Sequence, residues 1–69
     1  MKAVSGKRFY CVLEAQGWKL VRIRGSRLIY MKADSNFLVS VPVHGDTSLK
    51  RGLQSHLMKL AGIHESELY

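Results

Sequence analysis

The chain has 69 residues, eleven of them Lys or Arg and five Asp or Glu, for a formal net charge of +6. Hydrophobic residues make up 46% and charged residues 23%, a globular composition rather than a disordered one. A chain this short is expected to form one domain over residues 1–69, to bury only about 60% of its unfolded surface, and to have no room for separate cofactor and substrate domains.

Ser5 can cap a helix that begins at Gly6, in which Phe9, Val12 and Leu13 recur at i, i+3 and i+4. Gly17 fits the left-handed position that ends such a helix. From Trp18 to Arg24 the pattern changes to period two, with Lys19, Val21 and Ile23 on one face and Trp18, Leu20, Arg22 and Arg24 on the other. Gly25-Ser26 is a turn pair, and Arg27 to Lys32 reads as a second strand. Ala33 to Asn36 is a polar turn before a third, more apolar strand from Phe37 to Val43. Pro42 lacks an amide donor, so it belongs at that strand's end or on a sheet edge.

His44-Gly45-Asp46 is a loop, after which Asp46, Thr47 or Ser48 can cap another helix. Leu49, Leu53, Leu57 and Leu60 form one stripe of that helix, Gly62 ends it, and Ile63 is placed to pack back on its last turn. His64 to Tyr69 is a short tail with room for one further turn. The order is α-β-β-β-α. Three sequential strands with short turns predict an α+β fold: a three-stranded antiparallel sheet with two helices on one face, as in double-stranded-RNA-binding domains.

The charge points to a polyanionic partner, nucleic acid or an acidic protein. The longest uncharged run, Ser35 to Gly45, is far shorter than the ~20 apolar residues of a membrane-spanning helix. Lys2, Lys7 and Arg8 leave no apolar stretch like a signal peptide. One cysteine, Cys11, excludes an internal disulfide, and a small chain without a disulfide framework points to a reducing cytosol. Cys11 itself reads as a small core or boundary residue rather than a reactive thiolate. His44, His56 and His64 have no metal-ligand spacing, and no phosphate-cradling glycine motif occurs, so neither metal nor cofactor is expected.

The basic residues carry more information. Lys19, Arg22, Arg24, Arg27 and Lys32 line two strands and the turn that contains Ser26. Lys50 and Arg51 fall at the start of the last long helix, where cations oppose the helix dipole. That placement suits phosphate binding, because free amides and positive side chains converge on one anion; ordinary solvated lysine and arginine is the equal alternative. Trp18, Tyr10 and Tyr30 have rings that can stack on bases, although a core this small has first use for them. His44 is a loop histidine, and histidine can act as acid or base near neutral pH.

Several short motifs occur together and in order: Gly17-Trp18 after the capped helix, Arg24-Gly25-Ser26, Val41-Pro42-Val43-His44-Gly45, Leu49-Lys50-Arg51-Gly52 and Leu60-Ala61-Gly62-Ile63. In this the chain resembles HicA-type toxins, small mRNA interferases of bacterial toxin–antitoxin pairs. The resemblance spans nearly the whole chain. It implies a double-stranded-RNA-binding-like fold, metal-free RNA cleavage, a cytoplasmic setting and a HicB-type antitoxin as the silencing partner.

One departure bears on activity. The family usually carries histidine directly after the Gly-Ser turn, often two in a row, one of them the catalytic base. Here Arg27 and Leu28 occupy those positions. Arginine, with a pKa above about 12, cannot take a proton from a 2′-hydroxyl at neutral pH, but it can bind phosphate and steady a charged transition state. The resemblance therefore implies a toxin that keeps its RNA-binding surface (Lys19, Arg22, Arg24, Ser26, Arg27, Lys32, Lys50, Arg51) and has lost or reduced its cleavage, with His44 as a candidate surviving base. The competing classes are a non-catalytic RNA-binding module and a domain that pairs with an acidic protein.

Overall fold

A computed structural model describes residues 1–69. The elements are α1 (Gly6–Ala15), β1 (Lys19–Arg24), β2 (Arg27–Met31), β3 (Val39–Pro42), α2 (Arg51–Ala61) and α3 (Glu65–Leu68). The expected α-β-β-β-α order holds. The strands form one antiparallel sheet in the order β1-β2-β3, so β1 and β3 are its edges.

α1 forms where its local signals place it. The Ser5 hydroxyl accepts from the Arg8 amide at 3.1 Å. At the other end Gly17 sits at φ +97°, the Gly17 amide donates to Glu14 and the Trp18 amide donates to Leu13. This pair of bonds is a Schellman close, which only glycine enters without strain. Phe9, Val12 and Leu13 are buried on the inner face of α1. They meet Tyr30 from β2 and Val39 and Val41 from β3 in a core completed by Leu49, Leu57, Ile63 and Leu68.

β1 departs from simple alternation. Its register runs Leu20 opposite Tyr30, then Arg22 opposite Ile29, so Val21 is an extra residue in a bulge. Tyr30 and its partner Val39 are buried, which defines the inner face. Leu20 and Ile23 therefore lie on the helix side, and Lys19, Arg22 and Arg24 share the outer side. The sequence reading had separated Lys19 from the two arginines; the bulge brings the three together. All six β1 residues are exposed.

Four boundaries also differ, the first being β2, which ends at Met31 rather than Lys32. Trp18 precedes β1 and is buried in the core. β3 is shorter than expected, with Phe37 and Leu38 exposed outside it and Pro42 as its last residue. α2 starts at Arg51 with Lys50 in the capping position, rather than after a cap at Asp46, Thr47 or Ser48. The reason is tertiary. Ser48 bridges Ser5, and the Leu49 amide donates to the Val4 carbonyl at 2.8 Å, so this stretch is held extended. α3 confirms the further turn in the tail, with the Glu67 carboxylate accepting from the His64 amide at 2.9 Å.

The segment before α1 is pinned by Gln54, a fully buried polar side chain of α2. Its Oε1 accepts from the Val4 amide at 3.0 Å and its Nε2 donates to the Lys2 carbonyl at 2.8 Å. Both polar ends are thereby satisfied, which removes the cost of burying them.

Candidate nucleic-acid interface

The two-residue turn Gly25-Ser26 closes the β1–β2 hairpin, with Gly25 at φ +60° in its first position. That is the position where a type II′ turn requires glycine. The Ser26 carbonyl accepts from the Val43 amide at 2.7 Å, which fastens the turn to the chain leaving β3. The same fastening brings the Ser26 hydroxyl to 3.3 Å from His44 Nε2. Arg27, first in β2, stands opposite Pro42, last in β3.

Beside these residues is a cleft of about 330 Å³ between the sheet end and the start of α2, lined by Arg27, His44, Thr47, Ser48, Lys50 and Leu53 among others. No acidic residue lines it. The α2 start has no side-chain cap and no acidic residue in its first turn, so its amides are not answered by a carboxylate. Two cations, a histidine, two hydroxyls and a helix start thus face one space: the elements of an anion site.

The sequence-predicted residues fall into groups. Arg27, His44 and Lys50 meet in the cleft, with Ser26 on His44 and Arg51 exposed as the first residue of α2. Arg24 stands opposite Arg27 across the hairpin, adjoining the cleft, and Arg22 follows along the outer face of β1. Lys19 lies at the far end of β1, opposite Met31, where it lines a separate groove with Gly17 and Val21. Lys32 is also remote, with its ammonium 6.0 Å from the centre of the Trp18 ring, a cation–π distance. Leu28, the second residue after the turn, is half-buried against the core opposite Val41 and carries no chemistry to the cleft.

Thr47 and Ser48 are cleft residues that the sequence reading assigned to a helix cap; the signal, two hydroxyls ahead of Lys50-Arg51, was present but ambiguous. Trp18 and Tyr30 are buried and so unavailable for stacking on bases, and Tyr10 is half-buried on Tyr30 with ring centres 6.2 Å apart. Cys11 is exposed on α1, contrary to the core or boundary position expected. The helix phase places it one step beyond the buried stripe. No three His, Cys, Asp or Glu side chains gather as a metal set. No helix is long and apolar enough to cross a membrane.

The only ion pair joins the N-terminal amine to Glu65 at 3.9 Å. No lysine or arginine side chain is paired with a carboxylate, so the cations that border the cleft and the outer face of β1 are free for another anion.

A comparison with curated proteins gave no match. The family model described as the HicA toxin of bacterial toxin–antitoxin systems matches residues 6–63, from the first residue of α1 through the residue that follows Gly62. The chain belongs to the HicA toxin family.

Proposed function

We propose that this protein is the RNA-binding toxin of a HicA/HicB-type pair, a metal-independent mRNA endoribonuclease whose cleavage step is attenuated by Arg27, and that a HicB-type antitoxin silences it. The observation that carries this reading is the acid-free cleft in which Arg27, His44 and Lys50 meet beside the open start of α2. Such a cleft suits an RNA phosphate, held by the two cations and the α2 amides.

Cleavage of RNA by its own 2′-hydroxyl needs a base to remove that proton as O2′ bonds to phosphorus. The bond from phosphorus to the 5′ oxygen breaks, and that oxygen must be protonated. Arg27 can neutralise the pentacoordinate phosphorus but cannot serve as the base. His44 is the cleft's one imidazole, a side chain that can serve as a general acid or base, and the Ser26 hydroxyl 3.3 Å away can fix its orientation. Whatever cleavage remains is assigned to His44. Binding would extend along Arg24, Arg22, Lys19 and Lys32 on one side and Arg51 on the other.

The test is a cleavage assay on a single-stranded RNA, without added metal, across Arg27→His, His44→Ala and the unaltered protein. The expected result is slow cleavage by the unaltered protein, a gain of ~10²–10⁴-fold for Arg27→His, and loss of the residual rate but not of RNA binding for His44→Ala. An unaltered protein that cuts as fast as Arg27→His overturns the attenuation. The second reading, a non-catalytic RNA-binding module, is favoured by Leu28 as well as Arg27 lacking any base; salt-sensitive binding with no product from any variant would establish it.

A further inference from the structure

β1 is a sheet edge with nothing on it. Its outward amides and carbonyls have no neighbouring strand, and every one of its side chains is exposed. The helical layer covers β2 and β3, so Leu20 and Ile23, although on the inner face, remain 42% and 61% exposed, and Val21 in the bulge is 53% exposed. Proteins blunt free edges with charge and bulges. This edge has both, yet it leaves a row of large apolar side chains open to water.

The bulge sorts the edge by chemistry. Leu20 and Ile23 form an apolar shelf on one side, and Lys19, Arg22 and Arg24, none of them ion-paired, form a cationic row on the other. RNA can answer the cations but can neither cover the apolar shelf nor pair with strand amides in series. A second copy of this chain fits poorly, since pairing β1 with β1 sets the same three cations against one another. An extended peptide that alternates acidic and apolar residues answers all three features at once.

We infer that β1 accepts an acidic, alternating segment of a partner protein as a fourth strand, its apolar side chains on Leu20 and Ile23 and its carboxylates on Lys19, Arg22 and Arg24. The inference extends the antitoxin reading, on which the identity of the partner rests, but the edge geometry stands apart from the cleft chemistry. Because β1 runs directly into Gly25-Ser26, a strand laid along it reaches the turn that carries Ser26 and Arg27.

The probe is the synthetic peptide Glu-Val-Glu-Ile-Glu-Val-Glu, added to the full chain at up to millimolar concentration while β1 amide exchange is followed by NMR. Slower exchange at the β1 amides that point away from β2 is expected. Affinity should fall at least tenfold for Leu20→Asn/Ile23→Asn and for Arg22→Glu/Arg24→Glu, and vanish for the peptide with Lys in place of Glu. All the altered side chains are exposed, and unchanged far-UV spectra would show that the variants fold. No slowing at millimolar peptide, equal slowing by the lysine peptide, or protection by a single-stranded RNA instead would overturn the inference. RNA binding by Leu20→Asn/Ile23→Asn, which adds no charge, measured in parallel, should be unchanged, so a failed edge is distinguishable from a failed toxin reading.

Discussion

Tyr30 ties β2 to α1 through a single side chain. Its ring is fully buried and its hydroxyl donates to Glu14 Oε2 at 2.6 Å. Burial, and then the bonded carboxylate, hold its ionisation well above the ordinary tyrosine value of 10.0. In the unfolded chain the phenol loses its proton near that ordinary value, whereas in the folded chain it keeps it. The contribution of Tyr30 is therefore complete below about pH 10 and is lost progressively as pH rises beyond it. Urea titrations between pH 8 and 11.5 should show stability falling more steeply for the unaltered protein than for Tyr30→Phe, which should itself cost about 1 kcal/mol at pH 8. Parallel slopes would refute this. The residue type was enough to read Tyr30 as a strand former, but its partner is remote in sequence, and nothing local distinguished a core tyrosine from one that stacks on bases. Arg27 is the opposite case: its chemistry is fixed by its guanidinium, so its inability to act as a base was legible from the residue type alone.

Gly6 sets the seating of α1 on the sheet. A Cβ added there would lie 2.2 Å from the Pro42 carbonyl oxygen, a backbone atom that cannot swing aside. At Gly52, near the start of α2, a Cβ would meet nothing within 4 Å. The same substitution should therefore have opposite signs: Gly6→Ala destabilising by ~1–3 kcal/mol, and Gly52→Ala stabilising by ~0.5–1 kcal/mol, read from urea midpoints. Equal effects would show that α1 shifts freely on β3. Element identity was legible because apolar spacing and caps act locally, as Ser5 and Gly17 do. Phase in β1 was not, since Leu20-Val21-Arg22-Ile23 suits either alternation and only pairing with β2 reveals the extra residue. The start of α2 was hidden for a related reason, the claim of Ser5 and Val4 on Ser48 and Leu49. That displacement also turned Thr47 and Ser48 from expected caps into cleft walls.

Across the whole molecule the charge of +6 is left uncompensated, since no Lys or Arg side chain has a carboxylate partner. Binding of single-stranded RNA should weaken with salt at a slope of about −0.7 per phosphate neutralised. If Arg27 and Lys50 each hold a phosphate, Arg27→Gln and Lys50→Gln should each reduce that slope by ~0.7, while Lys7→Gln, on the exposed side of α1, should leave it unchanged. Equal effects from all three would mean that the cleft has no privileged place in the field.

The Gln54 bridge has a temporal consequence. It joins Val4 and Lys2 to a residue 50 and 52 positions away, and Tyr69 closes on Lys2 from 67 positions away, with its hydroxyl donating to the Lys2 carbonyl at 2.8 Å. Contacts of such long sequence separation carry the largest loop-closure cost and need both ends of the chain. The cleft also takes its wall from Lys50 and Leu53, residues of the second half of the chain. During synthesis, which proceeds from the N-terminus, a growing chain has the basic hairpin before it has the wall that makes the hairpin into a site. The cleft is in this sense a property of the finished molecule, whereas the basic hairpin belongs to the part of the chain that is made first.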